Sequence, residues 1–489
     1  MILKNKNLNR KEKKGFALAM TLFLLVILST VCFGALSITT LDSKAAADAY
    51  GAARALYAAQ AGLAEAKSII VNARYGVGTD TVTSKSDKLA RLPGELVDAE
   101  YTISVAPASN NTSRDIQGWK VTSVGRCGEA VRSVVAYMEM ESFSKYAYFT
   151  NQDVSIANTV INFIDDDKIS GYTHTNGYFT INGHPKFDSQ MTSANYMSGS
   201  NFNDAYFDHQ KYCYYPNGSR GSVTYDNSKF YHCANNSYST DSPQALDDSP
   251  NFKFAGGQEA IALPKDANEA YNGAKLNNTY YDYSGAVQLK FNEGGTADIY
   301  ISRSGRWVKD KTVSTSTFPG VTLYFKDEVQ VSGKVSGRVT LASGKKVSII
   351  GDIVYSKPNQ DVLGILSKGD IMVATSSGST NQDRYIHAIM MCLDGSFYVQ
   401  DYSSKNIGSG GKLHVFGGII QKVRGAVGTS GTSTQRDYWG RTTTVKTKTG
   451  YDKDYVYDKK LRSTPPLNFP TTGHVTMRYF VDESSLGGV

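Results

Sequence analysis

A charge-free run from Phe16 to Leu41 follows directly on a basic leader, MILKNKNLNRKEKKG. The leader carries Lys4, Lys6, Arg10, Lys11, Lys13 and Lys14 against one acid, Glu12. The run is 26 residues long, and a helix rising ~1.5 Å per residue over that length crosses a hydrocarbon core of ~30 Å. The pattern predicts one membrane-spanning helix, with the basic side held in the cytoplasm and everything after Leu41 outside. An ordinary secretory signal places its small-residue cleavage site after the apolar stretch. Here the small residue, Gly15, comes before it, so a cut at this point keeps the helix with the mature chain.

Lys13-Lys14-Gly15, the apolar start FALAMTLFLLVILSTVCFGAL and the continuation DSKAAADAYGAARALYAAQAGLAEAKSII together resemble a type IV prepilin. The segment YAAQAGLAEA is similar to the PilX N-terminal type of pilus assembly protein. The resemblance implies that a prepilin peptidase cuts after Gly15 and methylates the new N-terminus at Phe16. At the fifth mature position, where major pilins carry glutamate, this chain has Met20. That departure is shared with tip-type minor pilins and pseudopilins rather than bulk fibre subunits. The competing reading is a plain single-pass anchor that is never processed.

The formal net charge of +7 belongs mostly to the leader, whose six basic residues and one acid give +5 and leave +2 for the rest. No basic surface for nucleic acid is implied. With 32 Tyr, 45 Gly and only 12 Pro, the chain suits sheets with frequent tight turns. Cys32 lies inside the apolar run and reads as a small apolar residue. Cys127, Cys213, Cys233 and Cys392 lie outside it, and their pairing is not fixed by sequence. Cys213 and Cys233 bracket a short loop and form the candidate disulfide; four free thiols are the alternative. No Cys-x-x-Cys spacing points to zinc.

The chain is read as α+β. Residues 1–15 form the leader, 16–41 the transmembrane helix and 42–72 its extension. That extension is alanine-rich, and alanine is the best helix former. Leu56, Ala59, Leu63, Ala66 and Ile70 recur on one face. From Phe16 to Val71 the rod is roughly 84 Å long, with Gly51 and Gly62 as candidate bends. Residues 95–141 hold alternating strands, Glu100–Val105, Gly118–Val124 and Arg132–Met138, as in the antiparallel head of a pilin. Residues 144–320 read as an irregular β region or insertion, with Asn176-Gly177 and Asn182-Gly183 as turns and a helix near Pro264–Tyr271.

Residues 321–470 read as a β-solenoid body, and 471–489 as a C-terminal tail. Short apolar triplets recur with a small residue or turn after each: Val329-Gln-Val331, Val339-Thr-Leu341, Val347-Ser-Ile349, Ile353-Val-Tyr355. Such pieces are stable only when stacked, which predicts a parallel β-helix with roughly 20 residues per coil. A β-sandwich made from the same strands is the alternative. Val331, Leu341, Ile349 and Ile353 are the candidate inward positions. Pro465-Pro466 and Pro470 predict an extended segment laid over the body. His174-Thr-Asn-Gly177, Ile386-His-Ala388, Gly417-Gly-Ile-Ile-Gln421, Arg424-Gly-Ala-Val-Gly428 and Tyr457-Asp-Lys-Lys-Leu461 resemble a group of bacterial pilus-assembly-like proteins with a pilin-type N-terminus and a glycine-rich β body.

Signals for catalysis are sparse. None of the seven histidines has a zinc-protease or deaminase spacing. Asp165-Asp166-Asp167 lacks the spacing of a helix-loop-helix calcium loop and reads as a solvated turn. Asp352, Asp370, Asp394 and Arg424 are the residues a polysaccharide-cleaving groove would recruit, but nothing in the sequence brings them together. The expectation is a protein that is not an enzyme, with no cofactor and no metal: a minor pilin or pseudopilin of the bacterial cytoplasmic membrane, then of the pilus or cell surface. Its expected partners are prepilin peptidase, other pilins with their assembly machinery, the membrane and a surface ligand, with no nucleic acid. The rival is a membrane-tethered adhesin or carbohydrate-binding β-helix that enters no fibre; a third reading is a β-helix enzyme on the same anchor.

Overall fold

The computed structural model describes residues 10–73, 83–89, 98–107, 118–153, 155, 161–177, 179–182, 184–194, 212–214, 220–222, 244–245, 249, 251–255, 258–375, 382–403, 411–436 and 441–482. The chain is α+β, with one long N-terminal helix followed by a large β-rich part. It divides into two compact units: Met1–Asn111 with Ile116–Glu139 and Val475–Val489, and Thr112–Asp115 with Met140–His474.

In the first unit, helix α1 runs unbroken from Arg10 to Ala73. Its C-terminal half packs on a sheet whose strands β1 (Thr83–Lys88), β2 (Ala99–Pro107), β3 (Gly118–Cys127) and β4 (Ala130–Ser142) pair in order and antiparallel. Strand β3 alternates buried and wet positions, the signature of a sheet with one covered face. Ala55, Ala58, Ala59, Leu63, Ala66 and Ile70 are buried on the helix side, while Leu56 is only half-buried. The two glycines read as bends lie inside a continuous helix. At Gly62 a Cβ would sit 2.2 Å from Ser123 Oγ and 2.8 Å from Ile103, so this glycine serves close approach instead. The sheet answers with its own glycine: a Cβ on Gly125 would lie 1.9 Å from the Ala55 carbonyl oxygen. Thr471–Asp482, expected as tail, is a strand next to β4 in this five-stranded sheet.

The second unit is built on parallel ladders. One aligns Leu323, Leu341, Ile365, Met390 and Ile419, then Tyr148, Thr173 and Met191. A second aligns Leu289, Val331, Ile349, Val373 and Val399. A third aligns Ile353, Ile386, Val415 and Tyr455, then Ile169 and Phe187. All of these residues are buried and face one core, including the four proposed inward positions Val331, Leu341, Ile349 and Ile353. Antiparallel pairing in this unit belongs to hairpins such as Val287–Asn292 with Thr296–Arg303 and Gly428–Arg436 with Thr442–Gly450.

The ladder order is not the chain order. The first strand of the unit, Tyr148–Gln152, lies beside Lys412–Val423, and Lys168–Ser170 lies beside Asp452–Val456. Residues 144–320, expected as an irregular region, therefore supply regular rungs at both ends of the 321–470 body. Their strands are two to nine residues long, and the shortest are too short to show a period of their own. The predicted helix near Pro264–Tyr271 is α2, Asn268–Leu276. The proline-rich segment lies against the first ladder: Arg338 Nε donates to Pro465 O at 2.7 Å, and Thr322 Oγ1 donates to Leu467 O at 3.3 Å. Cys127 and Cys392 are buried free thiols; Cys233, and with it the proposed Cys213–Cys233 pair, lies outside the described residues.

Candidate functional site: an exposed apolar helix and a histidine-lined surface

Two features stand apart from this packing. The first is the N-terminal half of α1. Every residue from Phe16 to Tyr50 is exposed, Phe16 by 71% and Met20 by 51%. It is a helix long and apolar enough to cross a membrane, and none of its most apolar stretch is buried in the protein. Leaving so many Leu, Ile, Val and Phe side chains in water costs about 1.5–3 kcal/mol each relative to burial, so the surface demands an apolar environment. Thr21, Ser29, Thr30, Thr39 and Thr40 return their hydroxyls to carbonyls three or four residues back, which removes polar groups from the helix surface. Gly15 lies within α1, one residue before the exposed stretch.

The second is the outer face of the third ladder. Strand register sets Tyr385, His414 and Asp454 side by side, and next to them His387, Phe416 and Val456. The Tyr385 and His414 rings stack at 4.7 Å with planes 7° apart. His414 Nδ1 lies 2.6 Å from Asp454 Oδ2, and its Nε2 lies 3.3 Å from Asp383 Oδ2. The Lys412 backbone N–H, ahead of His414, holds the Asp383 carboxyl below its usual range. His387 Nδ1 accepts the Tyr355 N–H at 3.1 Å, which leaves Nε2 to carry the proton of the neutral ring. Burial lowers the His387 pKa and favours that neutral form. Pro358, His387, His414, Phe416 and Val456 line a surface depression of about 350 Å³ here.

Of the acids a cleavage groove would need, Asp370 and Asp394 lie in neighbouring turns, where Asp394 N–H donates to Lys368 O at 3.0 Å, and Asp352 lies beside Tyr385. Asp352 accepts from the Tyr385 N–H at 3.1 Å, Asp370 from the Ser396 N–H at 2.8 Å, and Asp394 holds Lys422 at 3.0 Å. Arg424 is buried beside Asp153 at 3.7 Å, with its guanidinium 3.8 Å from the centre of the Phe163 ring. The aspartate run is not a solvated turn throughout. Asp165 accepts the His184 N–H, Asp166 pairs with Lys448, and Asp167 is buried against Lys453. Among the described residues no group of His, Cys, Asp and Glu could hold a metal ion. The His174-Thr-Asn-Gly177 motif is architectural: Asn176 Oδ1 accepts from the Ile261 N–H at 2.8 Å, and Nδ2 returns a bond to Ile261 O at 2.7 Å.

A family model described as "Domain of unknown function (DUF4900)" matches residues 99–213. That stretch takes in β2, β3, β4 and the first rungs of the second unit. No curated protein matches the chain. Among solved structures the chain is similar to the competence-associated pilin ComZ from Thermus thermophilus, at 12% identity over 88% of this chain and 97% of that one, with a TM-score of 0.30. A likeness that distant carries no argument about what this chain does.

Proposed function

We propose that this chain is a non-enzymatic minor pilin or pseudopilin. A prepilin peptidase cuts it after Gly15 and methylates Phe16; it waits in the cytoplasmic membrane with its C-terminus outside, then joins a filament, at the tip. The observation that carries the reading is the single helix α1, exposed and charge-free from Phe16 to Leu41 and bound to an antiparallel sheet farther along. A helix of this kind suits two successive apolar environments, lipid and then the helical core of a fibre. Met20 supports a position at the end of a filament, because a subunit with no neighbour above it need not offer the acid that pairs with a neighbour's N-terminal amine. The three parallel ladders support reading the second unit as a parallel β-helix, which holds surface residues on a stiff body outside the cell. Quantitative proteomics of sheared filaments and of membranes tests the role: the account expects this chain in filaments at low copy relative to a major pilin, and its absence from filaments contradicts it.

A second reading, a tethered adhesin that enters no fibre, is favoured by the outer face around Tyr385 and His414. Stacked aromatic rings beside carboxylates and a neutral histidine donor offer both an apolar face and hydrogen-bonding groups, as a sugar or a polar protein surface requires. Loss of cell-surface ligand binding in Tyr385→Ala, together with absence of the wild-type chain from filaments, supports this reading over the first.

A further inference from the structure

The second unit has one seam where strands from opposite ends of its sequence meet, and buried charges lie along it, among them Asp153, Asp167 and Arg424. Asp454 and Val456 pair in register with Lys168 and Ser170 across it. The register brings Lys453, one residue before Asp454, opposite Asp167, one residue before Lys168. Lys453 Nζ contacts Asp167 Oδ2, although 286 positions separate the two residues. The Asp167 side chain is 2% exposed and that of Lys453 is 12% exposed. The same Asp167 oxygen accepts the Ile164 N–H at 3.0 Å, and the Asp167 N–H returns to Ile164 O at 2.9 Å, so the carboxyl is fixed in its turn. The Phe163 ring lies 5.6 Å from the Lys453 nitrogen and helps to keep water out.

We infer that Lys453 and Asp167 are joined by an intramolecular amide bond that closes the seam covalently. Elsewhere in the unit, Lys–Asp pairs such as Lys345–Asp327 and Lys422–Asp394 are open to solvent. Here burial acts first to lower the Lys453 pKa, and the nearby Arg424 cation adds to it; the attraction of Asp167 works in the opposite direction. In the proposed step one proton passes from the ammonium to the carboxylate, leaving an amine beside a carboxylic acid. The amine nitrogen attacks Cγ of Asp167, the C–N bond forms, and a C–O bond breaks. The departing hydroxyl takes the remaining exchangeable proton from nitrogen and leaves as water. The balance needs no oxidant or co-reactant. The inference is independent of how the N-terminus is processed.

Intact mass spectrometry of the folded full chain tests it, referenced to whatever N-terminus the same sample shows. The expected mass is short by one water, and a protease digest contains a branched peptide linking the segment with Lys453 to the segment with Asp167. Lys453→Arg restores the full mass. Asp167→Asn forms the same bond with loss of ammonia in place of water, a distinction that a plain ion pair cannot produce. The unmodified mass in folded wild-type protein, or a mass deficit with no branched peptide, overturns the inference and leaves a buried ion pair.

Discussion

Gln421 donates a 3.1 Å hydrogen bond to the hydroxyl of Tyr148, a residue 273 positions earlier in the chain. The carbonyl of the same glutamine accepts the Phe397 N–H at 2.9 Å and the Gly425 N–H at 3.2 Å. This side chain is 1% exposed and satisfied on both ends. It joins the strand that opens the second unit to one of the last strands of its body. Gln421→Leu keeps the bulk and removes every bond, leaving the buried Phe397 N–H without its acceptor. The expected loss is about 1–3 kcal/mol in urea unfolding of the second unit. Arg424→Met strips Asp153 of its cation at the same seam and is expected to cost about 3–5 kcal/mol. Two variants as stable as wild type would show that the seam is not held by this network.

His174 gives the unit an acid-sensitive core. Its ring sits on Phe149 at 5.2 Å, with Nδ1 2.7 Å from Thr192 Oγ1 and Nε2 3.0 Å from Asn176 Oδ1. Burial, opposed by the Asn176 bond, pushes its pKa down from 6.5 to about 4. Between those values the unfolded chain binds a proton here that the folded chain refuses. The stabilising contribution of the neutral ring is full above pH 6.5 and is lost as the pH falls toward 4, on the order of 3 kcal/mol. Unfolding at pH 7.5 and 4.5 should show a smaller drop in His174→Gln than in wild type. An identical drop in both would remove His174 from the account.

The second ladder gives a sharper contrast. Ile349 is fully buried between Val331 and Val373. Ile349→Asp places a carboxylate in the core with no partner and should unfold the unit, at a cost of several kcal/mol. Lys345, in the preceding turn, is exposed and pairs with Asp327 at 2.9 Å, with 60% of its side chain open to solvent. Lys345→Asp should cost no more than about 1 kcal/mol. Circular dichroism melts of the pair distinguish them; equal losses would contradict a single shared core.

Gly125 sets the distance between α1 and its sheet. A Cβ there meets the Ala55 carbonyl oxygen at 1.9 Å and the Ala59 nitrogen at 2.6 Å, both backbone atoms with little room to give. Gly125→Val should destabilise the first unit by roughly 1–3 kcal/mol or more. Gly128→Ala is a poor control because its φ of 59° is itself demanding, whereas Gly34 meets nothing within 4 Å and should accept alanine in the isolated protein. Protease protection of α1 reads the difference.

The long helix, its packing face and the alternating strands β2 to β4 were legible because each repeats its signal locally. Ala59, Leu63, Ala66 and Ile70 follow the helical period, and the triplets around Val331, Leu341 and Ile349 follow the strand period. The seam was not legible: Tyr148–Gln152 and Lys168–Ser170 are short, and their partners are Ile419–Gln421 and Asp454–Val456. Short-range pattern cannot encode that order. Three adjacent acids ordinarily form a solvated turn, yet Lys453 reaches Asp167 from a strand far along the chain. The outer face around His414 was missed for the same reason, as Tyr385, His414 and Asp454 converge only through ladder register. Gly15, Phe16 and Met20 carry their meaning by position along the chain, which folding does not alter.

The central claim, that this is a processed pilin-type subunit, rests on Gly15 standing immediately before the exposed apolar helix. N-terminal mass spectrometry of the native protein tests it most directly. The account predicts a chain beginning at N-methylated Phe16, with the leader retained in Gly15→Leu; an intact leader on surface-exposed wild-type protein would contradict it.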